Sequence, residues 1–257
     1  MIERHADPPV RVYAVMHTLR ALECLAFAPM STAELAHAIG GVDQRTIRRY
    51  LKRLNADGYV EQEATRPRRR YRLTHRLAAM GRQAIAHDPL PRTATPRLAA
   101  LAAQTGQVAT LWIPCYEHVV CILHTRPGQP PPQPILGALE PAHAGAPGKV
   151  LLAHRAAWRE SLLNRPLQRY TTRTLTDPRD LAAELNRIRE TGHAADHGEH
   201  HEDVHAIAAP VFHHDEAIAA IAIALRADDH ATTDHDTLTV HLTRAARDLA
   251  TTLNHQP

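Results

Sequence analysis

Aromatic residues are scarce in this chain: 4% of 257 residues, with two tryptophans and two phenylalanines. That excludes the stacking platforms on which single-strand binders lay out bases. Long apolar runs are missing too. The best stretch, Ala217–Leu225, has the length of a strand, so no membrane span is expected. The opening MIERHADPPVRV holds no apolar signal segment, and the expected compartment is the cytoplasm. Three cysteines, Cys24, Cys115 and Cys121, are too few and too scattered for a disulfide framework and read as small core residues. No Gly-x-Ser-x-Gly elbow, His-Glu-x-x-His pair or Cys-x-x-Cys occurs, so no enzyme is expected. Gly148-Lys149 looks like the end of a phosphate loop, but that motif needs glycine where His143 stands and a hydroxyl where Val150 stands. A phosphate loop is excluded.

What is present is charge, unevenly placed. Residues 1–88 carry 15 Lys+Arg against 9 Asp+Glu, whereas residues 89–257 carry 15 against 18. The window 43–72 alone holds 10 against 4, which points to a first part that faces nucleic acid. With 44% hydrophobic residues the chain can bury a core. Its length suits two ordinary domains.

The first part has helical periodicity. From Val10 to Phe27, Val12, Val15, Met16, Leu19, Leu22 and Leu25 recur at helical spacing, and Pro29 ends that helix. Ser31-Thr32-Ala33-Glu34 has the capping-box form. It opens a short helix that buries Leu35, Ala36 and Ile39 and stops at Gly40-Gly41. Asp43 caps a third helix from Gln44, in which Ile47, Leu51 and Leu54 must face inward. Arg45, Arg48, Arg49, Lys52 and Arg53 fall on the remaining circumference. The pair is a helix-turn-helix by pattern. Tyr59–Gln62 and Tyr71–Leu73 read as a hairpin tipped by Arg66, Arg68, Arg69 and Arg70, the wing of a winged helix. Double-stranded DNA is the expected partner. Gln44, Arg45, Thr46, Arg48 and Arg49 would reach base edges, while Lys52 and Arg53 would meet phosphate. Ser31 and Thr32, at a helix N-terminus, suit a backbone phosphate, and the wing arginines suit phosphates or the minor groove.

After the hairpin, His75–Ile85 reads as a connecting helix that ends at Asp88-Pro89-Leu90-Pro91. A helix over Pro96–Ala103, strands over Val108–Ile113 and His118–His124, and a proline-rich loop over Gly128–Pro134 are expected next. Helices over Lys149–Ala157 and Asp180–Arg189 follow, then hairpin strands Ile207–Phe212 and Ala217–Leu225 and a last helix Asp234–Leu253. The fold class is α+β. A winged helix-turn-helix domain spans 9–74, a linker helix 75–89 and a second domain 90–255.

This order of parts resembles the IclR family of bacterial transcription regulators. His143-Ala144-Gly145-Ala146-Pro147-Gly148-Lys149-Val150-Leu151-Leu152-Ala153 is similar to that family's H-A-S-x-x-G-K-x-x-L-A segment. Tyr170–Thr176 and Leu185–Gly192 are similar to its Y-T-x-x-T-x-T and L-x-x-I-R-x-x-G segments, with Asp196–Glu199, Ile207–Phe212 and Ala219–Ile223 following in order. The resemblance implies a ligand-responsive regulator, commonly a repressor, with a GAF-like α/β effector domain. It implies homodimers, or dimers of dimers, on pseudo-palindromic operators. By position it places a small organic effector against Ala146, Pro147, Gly148, Asp196, Ala206, Ala222 and Ala224, with no cofactor. Alanine stands where the family often has a cysteine (Ala206) and two serines (Ala222, Ala224), which favours apolar bulk in the effector. An anionic group, as in an aromatic or other organic acid, would sit at the Ala146–Gly148 helix start.

Twenty histidines are present, and His193, His197, His200, His201, His205, His213 and His214 crowd one region with Asp196, Glu199, Glu202 and Asp203. Imidazoles with carboxylates suit zinc or nickel, so a metal-responsive regulator using His193–His214 is the alternative function. Histidine is spread along the whole chain, however, while lysine is confined to Lys52 and Lys149. A solvated, histidine-rich loop with no metal is the expected state of this segment.

Overall fold

The computed structural model describes residues 10–63, 69–127, 136–226 and 234–255. They belong to two units, Met1–His87 and Asp88–Pro257.

In the first unit α1 (Val10–Phe27), α2 (Thr32–Ala38) and α3 (Gln44–Ala56) precede a hairpin of β1 (Val60–Gln62) and β2 (Tyr71–Leu73), and α4 (His75–His87) follows it. Both expected caps form. Ser31 Oγ accepts from the Glu34 N–H while the Glu34 carboxylate accepts from the Ser31 N–H, and Asp43 accepts from the Thr46 N–H. Leu35, Ile39, Ile47, Leu51 and Leu54 join Ala21 and Leu25 in one core. Residues 64–68, with Arg66 and Arg68 of the expected wing tip, lie outside the described residues. Of the apolar residues at helical spacing in α1, Leu25 is buried and Leu22 packs against the core, whereas Val15, Met16 and Leu19 are exposed. α4 buries none of its residues.

The second unit is a six-stranded antiparallel sheet in the order β5-β4-β3-β8-β7-β6. Its strands are β3 (Val108–Cys115), β4 (His118–Thr125), β5 (Leu139–Pro141), β6 (Ala194–His197), β7 (Val204–His213) and β8 (Glu216–Arg226). Helices cover both faces. α5 (Pro89–Thr105) and α9 (His235–Asn254) pack on one, and α6 (Ala146–His154) with α8 (Pro178–Thr191) on the other, where α7 (Ala156–Leu163) follows α6. The period-two alternation of β8 accounts for this: Ala220 and Ala222 join the core under α6, while Ile221 and Ile223 are buried on the opposite face.

Several expected boundaries shift. The prolines at 89–91 open a helix rather than close one: Asp88 caps it, Pro89 takes a first-turn position that needs no N–H partner, and Pro96 lies inside the same helix. α6 starts at Ala146, three residues ahead of Lys149, with Pro147 in its first turn. β5 and β6 are strands that local pattern did not reveal. Cys121 is buried, but Cys115, at the end of β3, is exposed and Cys24 is half-buried, so the cysteines are not uniformly core. The proline-rich loop at 128–134 lies outside the described residues. Among the described residues, no helix is long and apolar enough to cross a membrane.

Candidate nucleic-acid interface and effector site

α3 separates its residues by chemistry. Ile47, Leu51 and Leu54 are buried, while Gln44, Arg45, Arg48, Arg49, Lys52 and Arg53 are all exposed and Thr46 is half-exposed. Arg53 is tied to Asp57 at 2.8 Å. Ser31 and Thr32 sit at the start of α2, the Ser31 hydroxyl already occupied by its capping bond. Directly ahead of β2, Arg69 and Arg70 are exposed, but Arg70 pairs with Glu34 at 2.9 Å. The Ser31 bonds and the Arg70 charge lower the Glu34 carboxyl to about 2. One side chain thus joins the helix cap to the tip end of the hairpin.

The expected effector residues are assembled by register. Asp196, Ala206 and Ala224 are consecutive cross-strand partners on β6, β7 and β8, and Ala208 pairs Ala222 one step along the same face. Ala146, Pro147 and Gly148 lie in the first turn of α6, which packs on that face. Gly148 is required there: a Cβ would stand 2.3 Å from the Ala142 carbonyl oxygen. All these residues are buried except Ala206 and Ala224, which are half-buried. A cavity of about 150 Å³ reaches Asp196 and Ala206 but not the start of α6: Ala195, Ile207 and Leu225 of the opposite face line it together with His235, Asp236 and Thr239 of α9.

Charge is buried in the same place. Lys149 is fully buried, ion-paired with Glu199, and donates to the Ala195 carbonyl at 2.8 Å. Asp196 Oδ1 accepts from the Glu199 N–H at 2.6 Å. Burial, which outweighs this bond, pushes the Asp196 carboxyl up to about 7, and the Glu199 charge adds to the rise. The turn between β6 and β7 needs Gly198, at φ +87°, where a Cβ would come within 2.8 Å of the Glu202 carbonyl. Thr171 and Thr174 hold that turn through its carbonyls, at 2.8 Å from Gly198 O and 2.7 Å from Glu199 O. The Y-T-x-x-T segment is therefore a clamp on the acidic turn.

Other residues of the site were not predicted. Glu140 of β5 is raised to about 8 by burial, with the Asp196 charge second. His118 and His143 are held below their ordinary range by burial, and His200 is lowered to about 4. Nothing in local spacing links these positions, because β5 and β6 are opposite edges of the sheet.

The histidine-rich segment is not one solvated loop. His197 lies on β6, His205 opposite it on β7, His200 and His201 in the turn between, and His213 and His214 at the far end of β7. Asp196 and Glu199 within it are buried. Among the described residues, no three His, Cys, Asp or Glu side chains are grouped to hold a metal ion.

Residues 82–251 match the family described as bacterial transcriptional regulator IclR C-terminal. The DNA-binding transcriptional repressor YiaJ of Escherichia coli is 29% identical over 231 residues, 85% of this chain and 80% of its own length. A putative IclR transcriptional regulator from Silicibacter sp. TM1040 superposes with a TM-score of 0.78 at 24% identity, over 95% of this chain and 97% of that one. An IclR homologue from Microbacterium hydrocarbonoxydans complexed with 4-hydroxybenzoate shares the fold at a TM-score of 0.71 and 20% identity, over 95% of this chain and all (100%) of that one. These relatives are regulators and not enzymes. With the family match spanning well over half its length, the chain belongs to the IclR family of bacterial transcriptional regulators.

Proposed function

We propose that this protein is a cytoplasmic, homodimeric repressor that binds a pseudo-palindromic operator through α3 and releases or retains it according to a small organic effector held in the second unit. The observation that carries the DNA assignment is α3 itself: a fully buried apolar stripe backed by five exposed cations on one helix. Arg45, Arg48 and Arg49, with Gln44 and Thr46, serve base edges, since guanidinium matches the guanine major-groove edge. Lys52, Arg69 and the start of α2 serve phosphates. Arg70 contributes less, because Glu34 already holds it.

Two features support dimers, or dimers of dimers. α1 exposes Val15, Met16 and Leu19 on one side, and α4 buries nothing within its own unit. A symmetric pair of recognition helices then requires symmetric half-sites.

For the effector, the resemblance points to an aromatic or other organic acid, the class of the 4-hydroxybenzoate bound by the Microbacterium homologue. The residues proposed to face it are Ala146, Pro147, Gly148, Asp196, Ala206, Ala222 and Ala224. Whatever its class, it controls DNA only by binding the two states of the protein unequally. Gel-shift titration with DNA from upstream of the protein's own gene tests the reading. The expected result is a discrete complex that survives unrelated competitor DNA; equal binding to both DNAs would overturn the operator assignment.

A further inference from the structure

One ion pair of the first unit joins elements that lie far apart in the chain. Arg53 reaches Asp57 only four residues along, and Arg72 lies 2.6 Å from Glu61 and 3.9 Å from Glu63 within the hairpin. Arg70 instead crosses 36 positions to a helix. The two oxygens of the Glu34 carboxylate divide the work: Oε2 accepts from the Ser31 N–H at 2.7 Å, and Oε1 accepts from Arg70 Nη2 at 2.9 Å. The main chain runs alongside. Met30 and Tyr71 exchange both of their backbone bonds, at 3.0 and 2.8 Å, and the Glu63 N–H donates to the Arg70 carbonyl at 2.9 Å. Arg70 is therefore fixed at both ends, its backbone in the hairpin and its guanidinium on the cap of α2.

Stability does not account for this arrangement. Both side chains are nearly half exposed, and exposed ion pairs add little to a fold. The cap does not need the charge either, since glutamine closes the same box. What a carboxylate does in that place is compete. The guanidinium of a wing arginine is a natural partner for a phosphate, but a carboxylate of the same chain meets it at high effective concentration. Glu34 keeps its charge, because the Ser31 bonds first and Arg70 second hold its carboxyl at about 2.

Resting on the DNA reading above, we propose that Glu34 is a specificity-determining residue: it withholds Arg70 from the DNA backbone and ties the wing to α2. Arg70 acts as a strut rather than as a full phosphate contact. A duplex of any sequence loses one cation that would otherwise neutralise it. The operator loses less, because base contacts from α3 fix its register and a wing already tied down needs little ordering as it docks. Non-specific binding is held down without altering any residue that reads a base.

The test is a mutant cycle on the full chain: wild type, Glu34→Gln, Arg70→Gln and the double variant. Anisotropy titrations with DNA from upstream of the protein's own gene and with unrelated duplex, each over a series of salt concentrations, give affinity and salt slope. Glu34→Gln keeps the cap and frees Arg70, so its slope on unrelated duplex should steepen by about 0.9, the value of one phosphate contact. Its preference for the upstream DNA should fall at least about threefold. Arg70→Gln should change the slope by less than about 0.3 in the wild-type background and by about 0.9 in the Glu34→Gln background. A loss of about 0.9 for Arg70→Gln in the wild-type background would overturn the proposal, because Arg70 would then already hold a phosphate. An unchanged slope or an unchanged preference in Glu34→Gln would overturn it too. If Glu34→Gln fails to fold, Arg70→Gln alone decides between the same two slopes. In each of these cases a discrete wild-type complex on the upstream DNA keeps the DNA reading. Equal wild-type binding to both duplexes would overturn that reading and this proposal together.

Discussion

The molecule handles charge in two opposite ways. On α3, Arg45, Arg48, Arg49 and Lys52 stand in water above an apolar stripe, with only Arg53 paired, to Asp57. In the second unit, Lys149, Glu199 and Asp196 are withdrawn from water among alanine and leucine. Exposed cations keep their hydration and are free to meet an external polyanion, where releasing counterions drives association. Buried charges must be answered within the fold, because each left alone costs several kcal/mol. The first arrangement suits a long, uniformly charged partner. The second suits a small one that replaces water at a few fixed hydrogen-bonding positions.

Breaking the buried side of this comparison should have the largest effect. Lys149→Met is expected to cost about 3–5 kcal/mol, since it strands Glu199 without its cation. The matched change on the exposed side, Arg48→Met, should stay within about 0.5 kcal/mol. Denaturant unfolding of both variants checks the contrast. Equal losses would mean that the two charge sets are not in different media.

A smaller effect should appear with pH. Folded, Glu140 keeps its proton up to about pH 8 and Asp196 up to about pH 7, whereas both lose it in the ordinary carboxylate range when unfolded. The folded state therefore holds more protons between those limits, and stability falls as pH rises. The lowered imidazoles of His118, His143 and His200 act in the opposite sense, but only below their ordinary 6.5. From about pH 6.5 to 8 the carboxyls decide, and stability should decline by about 1–2 kcal/mol. Glu140→Gln should flatten most of that slope in denaturant unfolding at a series of pH values. A slope that survives it would place the titrating group elsewhere.

The smallest change concerns the first unit. Ser31→Ala removes one cap of α2 and should cost about 1 kcal/mol. Thermal unfolding measures it, and a neutral result would mean that the Glu34 half of the box suffices alone.

How much of this was legible in the sequence differed between the units for a physical reason. The first is built from local signals. Ser31 with Glu34, Asp43 before Gln44, and Ile47-Leu51-Leu54 at helical spacing each act within one or two turns, and all appear in the structure as read. The α1 stripe divides: Leu25 joins the core, while Val15 and Leu19 are apolar but exposed. In the second unit the hairpin of β7 and β8 was legible from its alternating apolar runs. β5 and β6 were not, being three and four residues long at the sheet edges. Asp88-Pro89 was ambiguous because proline both ends one helix and suits the first turn of the next. Asp196 came from the family resemblance. Glu140 comes within reach of its charge, and His118 and His143 within reach of His200, only through long-range packing that no spacing rule encodes.

On the function proposed above, the exposed face of α3 reads DNA without serving the fold. Its most direct test is fluorescence-anisotropy titration of the operator with the wild-type chain and with Arg45→Ala/Arg48→Ala, alongside unfolding curves for both. The expected result is an unchanged unfolding midpoint and operator affinity lowered by roughly 1–3 kcal/mol for each lost base contact, with binding to unrelated duplex lowered far less. Operator affinity unchanged in the double variant, or lost equally for every duplex, would contradict it.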